Sequence, residues 1–583
     1  MFLLVVGYNL YFAPEEDPTA SVAQTEVTNV GSADTATQTP VATPSAVPDS
    51  LAELLAVRER ENKLGIFAAA GVPRAEQEYI LSNKLVDIRI SNKGGTFRSV
   101  RLTDGYTTFW EKKPISLFRP EETRLNLSFD YTGKERINTA ELFFVKAGEK
   151  STADGKELIM RLDGGNNRYI DIVYFLANDS YEVKTEIRTV GMSDPVNLST
   201  ARLDWEMTGL HNEKGIEWER QHSAVYFREM GQGRDYLGDG QDDEDTVEES
   251  LHWVAFKQNF FSAAVINDEG FGGNSYLHSA PPADAADTSV TMNYVAKLPV
   301  NLDVTGTETL RFYFGPNDLA VMNKLEVEEF SRIIDYGWWI FGWINRWVVR
   351  PVFNWLASSI GSIGITIVVI TLLIKLLLSP ITWKNFLSSA KMRVLKPEMD
   401  AINEKYKDEP MEKQKAQMDL YRQTGVNPFA GCLPMLLQMP ILYAMFRFFP
   451  ANIDLRGKSF LWADDLGAYD AIFTWSQHIP VISTYYGNHI SGFTLMMAVS
   501  TYVYSNMSMA NMPTTQQPGM PNMKVIMNIF PIFTLVFFNK FAAGLSFYYF
   551  CANVLSIAQM VIIKRYFINE DKIRMQIETN KTT

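Results

Sequence analysis

The chain has 583 residues, more than one hydrophobic core normally organises, so at least two structural units are expected. Its formal net charge of −13 excludes a general nucleic-acid binder, because gripping a phosphate backbone needs concentrated positive charge; any ribosome contact must be local. The two cysteines, Cys432 and Cys551, both lie in apolar runs, which leaves no disulfide for an exported domain and no redox, zinc or thiol-nucleophile chemistry.

Residues 1–13 (MFLLVVGYNLYFA) are apolar but too short for a hydrocarbon core of about 30 Å, and no basic stretch precedes them. They read as the end of a signal-anchor helix whose start is missing. Residues 14–50, rich in Thr, Ala, Pro, Ser and Val, are expected to form a disordered linker. A short helical stretch at 51–67 then gives way to period two. Val86, Ile88 and Ile90 alternate with Asp87 and Arg89, and NKGG at 92–95 supplies turn chemistry. Similar runs recur at 168–175, 181–188, 289–302 and 309–315, so 51–330 is expected to be a large antiparallel all-β sandwich. The acidic run 239–249 lacks the alternating oxygen ligands of a calcium loop and reads as solvated.

At 334–358 the pattern changes again. Trp339, Trp343 and Trp347 recur four residues apart on one face, with Arg346 and Arg350 elsewhere, as in an amphipathic helix lying at a membrane interface. A transmembrane helix is the alternative, opposed by the two arginines and Pro351. Five spans follow at 360–378, 429–449, 493–509, 525–539 and 542–563, within a membrane unit of 359–567; the anchor makes six. The basic segment 383–427 and the tail 568–583 are placed in the cytoplasm. The loop 450–492, with only Arg456 and Lys458 among aspartates, goes outside together with the β-rich region.

Lys375 is the only charge in the first span, and Thr371, Lys375 and Ser379 share a face. Its nearness to the inner end equally allows simple snorkelling. In the last span Ser546, Tyr549, Asn553 and Ser556 form a second polar face. Gln438 lies mid-way along the second span and Asn528 near the start of the fourth, where interhelical hydrogen bonding is an equal reading. Two striped helices plus a lysine predict a wet groove inside the bilayer. Such a groove would shorten the dry path for a polar tail and let Lys375 attract its acidic groups. Departure into lipid would be driven by burial of the client's apolar helix, with no nucleotide. Segment 383–427 is predicted to be a helical hairpin ended by Gly425. In it Met392, Leu395, Met399 and Ile402 keep a three-four rhythm, which suits either an adaptable client-receiving face or the inside of a self-packed hairpin.

The stretches ITLLIKLLLSPIT (370–382), SSAKMRVLKPEMDAI (388–402), YRQTGVNPFAGCLPMLLQMPILYAMF (421–446) and FFNKFAAGLSFYYFCANVLSIAQ (537–559) resemble the membrane core of the YidC family of insertases in order and spacing. The likeness is strong over 340–567 and looser over the β-rich region. It implies an α-helical polytopic membrane bundle, with a five-helix insertase core plus N-terminal anchor around a groove closed to the exterior. It further implies an all-β periplasmic supersandwich, as in Gram-negative members, and residence in the inner membrane. The implied activity is that of an insertase and chaperone, working alone or with the Sec translocon. Thr371, Gln438 and Tyr549 match positions that line the groove. The family's usual groove charge is arginine, whereas Lys375 keeps the charge but loses the planar fork. Implied partners are nascent membrane proteins, the Sec translocon, the ribosome at hairpin and tail, and membrane lipids; no cofactor or metal is implied. No HExxH, GxSxG or GxxxxGK[ST] motif occurs, so an enzyme is not expected. Two rivals are a secondary transporter built on Lys375, which lacks the internal repeats such folds show, and a carbohydrate-binding β module, which fold class alone cannot establish.

Overall fold

A computed structural model describes residues 49–192, 196–302, 306–407, 409–425, 433–477, 479–480, 482–509 and 523–582. The expected anchor at 1–13 and all but the last two residues of the expected linker 14–50 lie outside these. From Val57 onward the chain is one compact unit. The helix Asp49–Leu64 runs into a 3-10 turn, Gly65–Phe67, which plants Phe67 edge-on against Phe129 with ring centroids 5.9 Å apart.

The β-rich region is built from a six-stranded and a nine-stranded sheet, with a smaller three-stranded sheet beside them. Every strand pairing in these sheets is antiparallel. The expected runs at 86–90, 168–175, 181–188, 289–302 and 309–315 fall on the strands Val86–Ser91, Tyr169–Ala177, Glu182–Val190, Val290–Pro299 and Thr307–Pro316. In the six-stranded sheet the fifteen-residue strand Val196–Leu210 lies between Arg124–Tyr131 and Val290–Pro299. It sends Trp205 across to the nine-stranded sheet, where the indole meets Phe256 at 4.5 Å and Phe312 at 5.9 Å. Burying rings of that size contributes about 2–3 kcal/mol each, which is what clamps two such sheets face to face. Period two fails in Phe261–Ile266, buried at every position, because the nine-stranded sheet is covered on both faces at this strand. On the second face Phe330, from the 3-10 segment Phe330–Ile333, packs edge-on against Trp253 and Tyr313.

The chain then forms Trp339–Ile344, a π-turn Asn345–Val349 and Arg350–Ile360. Trp339, Trp343, Trp347 and Trp355 stand exposed, while Arg350 turns inward to Asp318 at 2.6 Å. Arg346 donates to the carbonyl of Ile334 at 3.0 Å. Arg350 therefore fastens the helix to the β region, Arg346 ties it to the turn that leads into it, and the indoles are left free.

Five core helices follow: Ile363–Val394, Leu433–Ala451, Gly492–Met509, Met523–Phe538 and Ala543–Tyr566. The first and fifth are long and apolar enough to cross a membrane by themselves; the others have 19, 18 and 16 residues. Leu372, Leu376, Leu377, Ile529, Ile532, Val561 and Ile562 face outward, an apolar belt suited to lipid. The first helix does not stop near 378 but runs on through Pro380 to Val394. A proline removes one main-chain hydrogen bond, and the helix-forming residues on both sides carry the turn through. The hairpin's first arm thus continues the membrane helix, followed by Lys396–Lys405 and Pro410–Thr424, the latter ended by Gly425 at φ 62°. A last helix, Glu570–Thr582, inserts Ile573 and Ile577 between Ala390, Leu395, Met399 and Leu420.

Candidate functional site between the polar-striped helices

The first and fifth core helices pack against each other, and their polar stripes meet at Lys375. Its ammonium donates to Ser556 Oγ at 2.7 Å, and the Ser556 hydroxyl donates to the carbonyl of Ala552 at 2.7 Å, one turn back. Gln559 Nε2 donates to the main-chain carbonyl of Lys375 at 3.2 Å. Lys375 is 7 % exposed, and it makes no ion pair among the described residues. Thr371, one turn earlier and buried, donates to the Ile367 carbonyl of its own helix at 2.5 Å.

The rest of the fifth helix's stripe is divided among other neighbours. Asn553 donates to Ser500 Oγ at 3.1 Å and to Thr501 Oγ1 at 2.8 Å on the third helix. Ser546, fully buried, shares a hydrogen bond of 2.9 Å with Thr494 on that same helix. The Tyr549 hydroxyl donates to the Leu442 carbonyl of the second helix at 3.1 Å. Asn528 is half-buried on the fourth helix, with its carbonyl oxygen unpartnered among the described residues, and does not join the cluster. Gln438 lies in Leu433–Ala451, but its side chain is outside the described residues. The partners Ser500, Thr501 and Thr494 were not singled out from the sequence. Hydroxyls scattered in an apolar run bond their own helix by default, as Ser500 and Thr501 also do here toward the Met497 carbonyl. Their one signal is the seven-residue spacing of Thr494 and Thr501, which puts both on one face.

Beside this seam, an open cleft of about 420 Å³ runs between the third and fifth helices, lined by Leu495, Val499, Val503, Phe550 and Ile557 with Ser500 as its one hydroxyl. The hairpin face is a different matter. Leu395 and Met399 are buried and Met392 and Ile402 half-buried, all packed with Ile573 and Ile577 of the C-terminal helix. That apolar rhythm is covered by Leu420 of the hairpin's second arm and by the C-terminal helix, which neither reading included, so it is not an open face.

The ends of the helices opposite the hairpin are closed by the loop 450–492. Asp470, buried, accepts from the main-chain N–H groups of Gly492 at 2.7 Å and Phe493 at 3.1 Å, from Trp462 Nε1 at 2.8 Å, and from the Ser491 hydroxyl. It thereby caps the third helix with a negative charge at the helix's positive end. The same loop docks on the β region. Arg456 grips Glu213 through Nε at 2.8 and 3.0 Å and the Thr107 carbonyl at 2.7 Å. Behind Glu213 lies Glu219, whose carboxylate accepts the N–H groups of Asn212 and Glu213. Burial, and then the neighbouring Glu213 charge, push the Glu219 carboxyl well above the ordinary value, while burial holds the His211 imidazole below its own.

Residues 79–353 match the family described as "YidC periplasmic domain", and residues 355–571 the family described as "60Kd inner membrane protein". The chain is 38 % identical over 549 residues to the membrane protein insertase YidC of Parabacteroides distasonis, spanning 92 % of this chain and 85 % of that one. The chain belongs to the YidC family of membrane protein insertases. The insertase of Porphyromonas gingivalis is 36 % identical over 556 residues, covering 93 % and 86 % of the two chains. A crystal structure of an active YidC insertase is 19 % identical with a TM-score of 0.32, covering 89 % of this chain and 100 % of that one. A galactose mutarotase-like protein from Lactobacillus casei scores 0.26 at 11 % identity over 41 % of this chain and 100 % of that one. At such scores neither likeness bears on function. The chain is therefore an inner-membrane insertase, whose β-rich region corresponds to the family's periplasmic domain and whose helical part corresponds to its membrane core.

Proposed function

We propose that this insertase draws the polar tails of nascent membrane proteins along the seam between its first and fifth core helices, with Lys375 as the cation that attracts them. The observation that supports this is a buried ammonium resting on a neutral hydroxyl, with no carboxylate bound to it among the described residues. A lysine in a permanent ion pair would be electrically silent, whereas one on a neutral acceptor keeps its charge for an incoming acidic group. In this reading water enters from the cytoplasmic side, and Thr371 and Ser556 are the polar groups beside Lys375 in the seam, while Ser546 and Asn553 bond the fifth helix to the third and Tyr549 bonds it to the second. The adjoining apolar cleft takes the client's hydrophobic helix, which leaves sideways into lipid. The β region and the loop 450–492 stand in the periplasm, and hairpin and C-terminal helix in the cytoplasm. Insertion is non-enzymatic and needs no cofactor.

The basic hairpin and tail offer a local contact for the ribosome, large clients are shared with the Sec translocon, and the groove also chaperones folding. Met392, Leu395, Met399 and Ile402 receive clients only when the C-terminal helix is drawn aside. The test is Lys375→Ala in proteoliposomes, with two versions of one single-span client whose translocated tail carries either aspartates or asparagines. The acidic version should lose about three- to tenfold in insertion relative to the neutral one. Equal losses for both would refute the role given to Lys375.

A further inference from the structure

We infer that Ser556 is a positioning residue for insertion: it is the resting acceptor that parks the Lys375 ammonium in the bundle and takes it back after each client. This rests on the reading of Lys375 given above and adds a second residue to it. The geometry has a direction. Ser556 has one proton, and it is committed to the Ala552 carbonyl at 2.7 Å, so the oxygen lone pairs are what it offers to Lys375 Nζ at 2.7 Å. Gln559, three residues on and on the same face, holds the other end of the same residue by donating to the Lys375 carbonyl at 3.2 Å. The two contacts have opposite polarity and both end on Lys375, so they fix its helix against the fifth helix at one level.

A neutral hydroxyl suits this task for an energetic reason. A carboxylate bonds an ammonium roughly twice as strongly as a neutral oxygen does, so an acidic group arriving in the seam displaces Ser556 readily. Once the client's tail has moved on, the uncovered ammonium has Ser556 as its nearest acceptor and returns. A carboxylate at this position would hold the lysine permanently, and an aliphatic residue would leave it without a partner in an apolar surrounding. The seam is therefore poised between the two.

The experiment uses the full chain in proteoliposomes and reads the ratio of acidic-tail to neutral-tail insertion within each variant, which cancels differences in folded amount. S556D should lower the ratio about three- to tenfold, to the level of K375A, whereas S556T, which keeps the hydroxyl, should match the wild type. A wild-type ratio in S556D, with K375A lowered, would overturn the role of Ser556 and leave that of Lys375 standing. A wild-type ratio in K375A would overturn both. If S556D does not accumulate, S556A carries the test. Loss of the acceptor should speed modification of Lys375 by an acetimidate ester about three- to tenfold, read by peptide mass spectrometry, and an unchanged rate would overturn the assignment.

Discussion

The ion pair between Arg456 and Glu213 joins two parts of the chain 243 residues apart, and its removal is the sharpest test of how the loop 450–492 is held to the β region. Both side chains are 7 % exposed. Arg456→Ala would strand the Glu213 carboxylate beside Glu219, leave the Thr107 carbonyl without its donor, and lift the guanidinium from the Phe261 ring, 5.1 Å below it. Breaking a buried pair by deleting one partner costs about 3–5 kcal/mol. Burial already pushes the Glu213 carboxyl above the ordinary value, so it can take up a proton and relieve part of this, which favours the lower end. About 3 kcal/mol corresponds to a rise of roughly 150-fold in the open population. Amide hydrogen exchange on the detergent-solubilised full chain reads this directly. Peptides covering 105–110 and 456–468 should exchange about 100-fold faster in the variant, while the strand Phe261–Ile266 changes little. The double variant Arg456→Ala/Glu213→Gln, in which no charge is stranded, should regain most of the protection. A change under about tenfold, or a double variant as fast as the single, would show that the buried charge does not set the strength of this junction.

Asp470→Ala should destabilise the start of the third core helix by about 2 kcal/mol, since four donors converge on that carboxylate, and Asp470→Asn should restore part of the loss. Exchange at 491–497 measures both, and identical behaviour of Ala and Asn would count against a capping role. In the β region, Glu308 accepts from Asn267 at 2.6 Å, and burial pushes its carboxyl from 4.5 up to about 7. Because the value in the folded chain is raised, the stabilisation is complete below 4.5 and is lost as pH rises through about 7. The protection of Thr307–Pro316, corrected for intrinsic exchange, should therefore fall across that interval in the wild type and stay flatter in Glu308→Gln; equal slopes would remove Glu308 as the cause.

What was legible beforehand is what local pattern carries. Period two marked five of the strands because in a half-buried strand each residue's face alternates regardless of what lies opposite, and hydropathy marked four of the helices to within a few residues, and the start of the first, because lipid selects composition over a whole span. The polar face of the fifth helix was visible for the same reason. Its partners were not. A stripe records which side of a helix is polar, but whether Ser556 meets Lys375 and Asn553 meets Ser500 depends on how helices far apart in the chain are rotated and staggered against each other. The rhythm of Leu395 and Met399 demanded cover without naming it, and the cover proved to be Ile573 and Ile577. Arg456 looked like an ordinary loop cation until folding brought Glu213 to it. The sequence by itself thus determined the two-part architecture and which residues must hide or bond. The tertiary structure alone decided to whom, because hydrogen bonds and ion pairs act over about 3 Å and that distance is set only when the packing of the whole is complete.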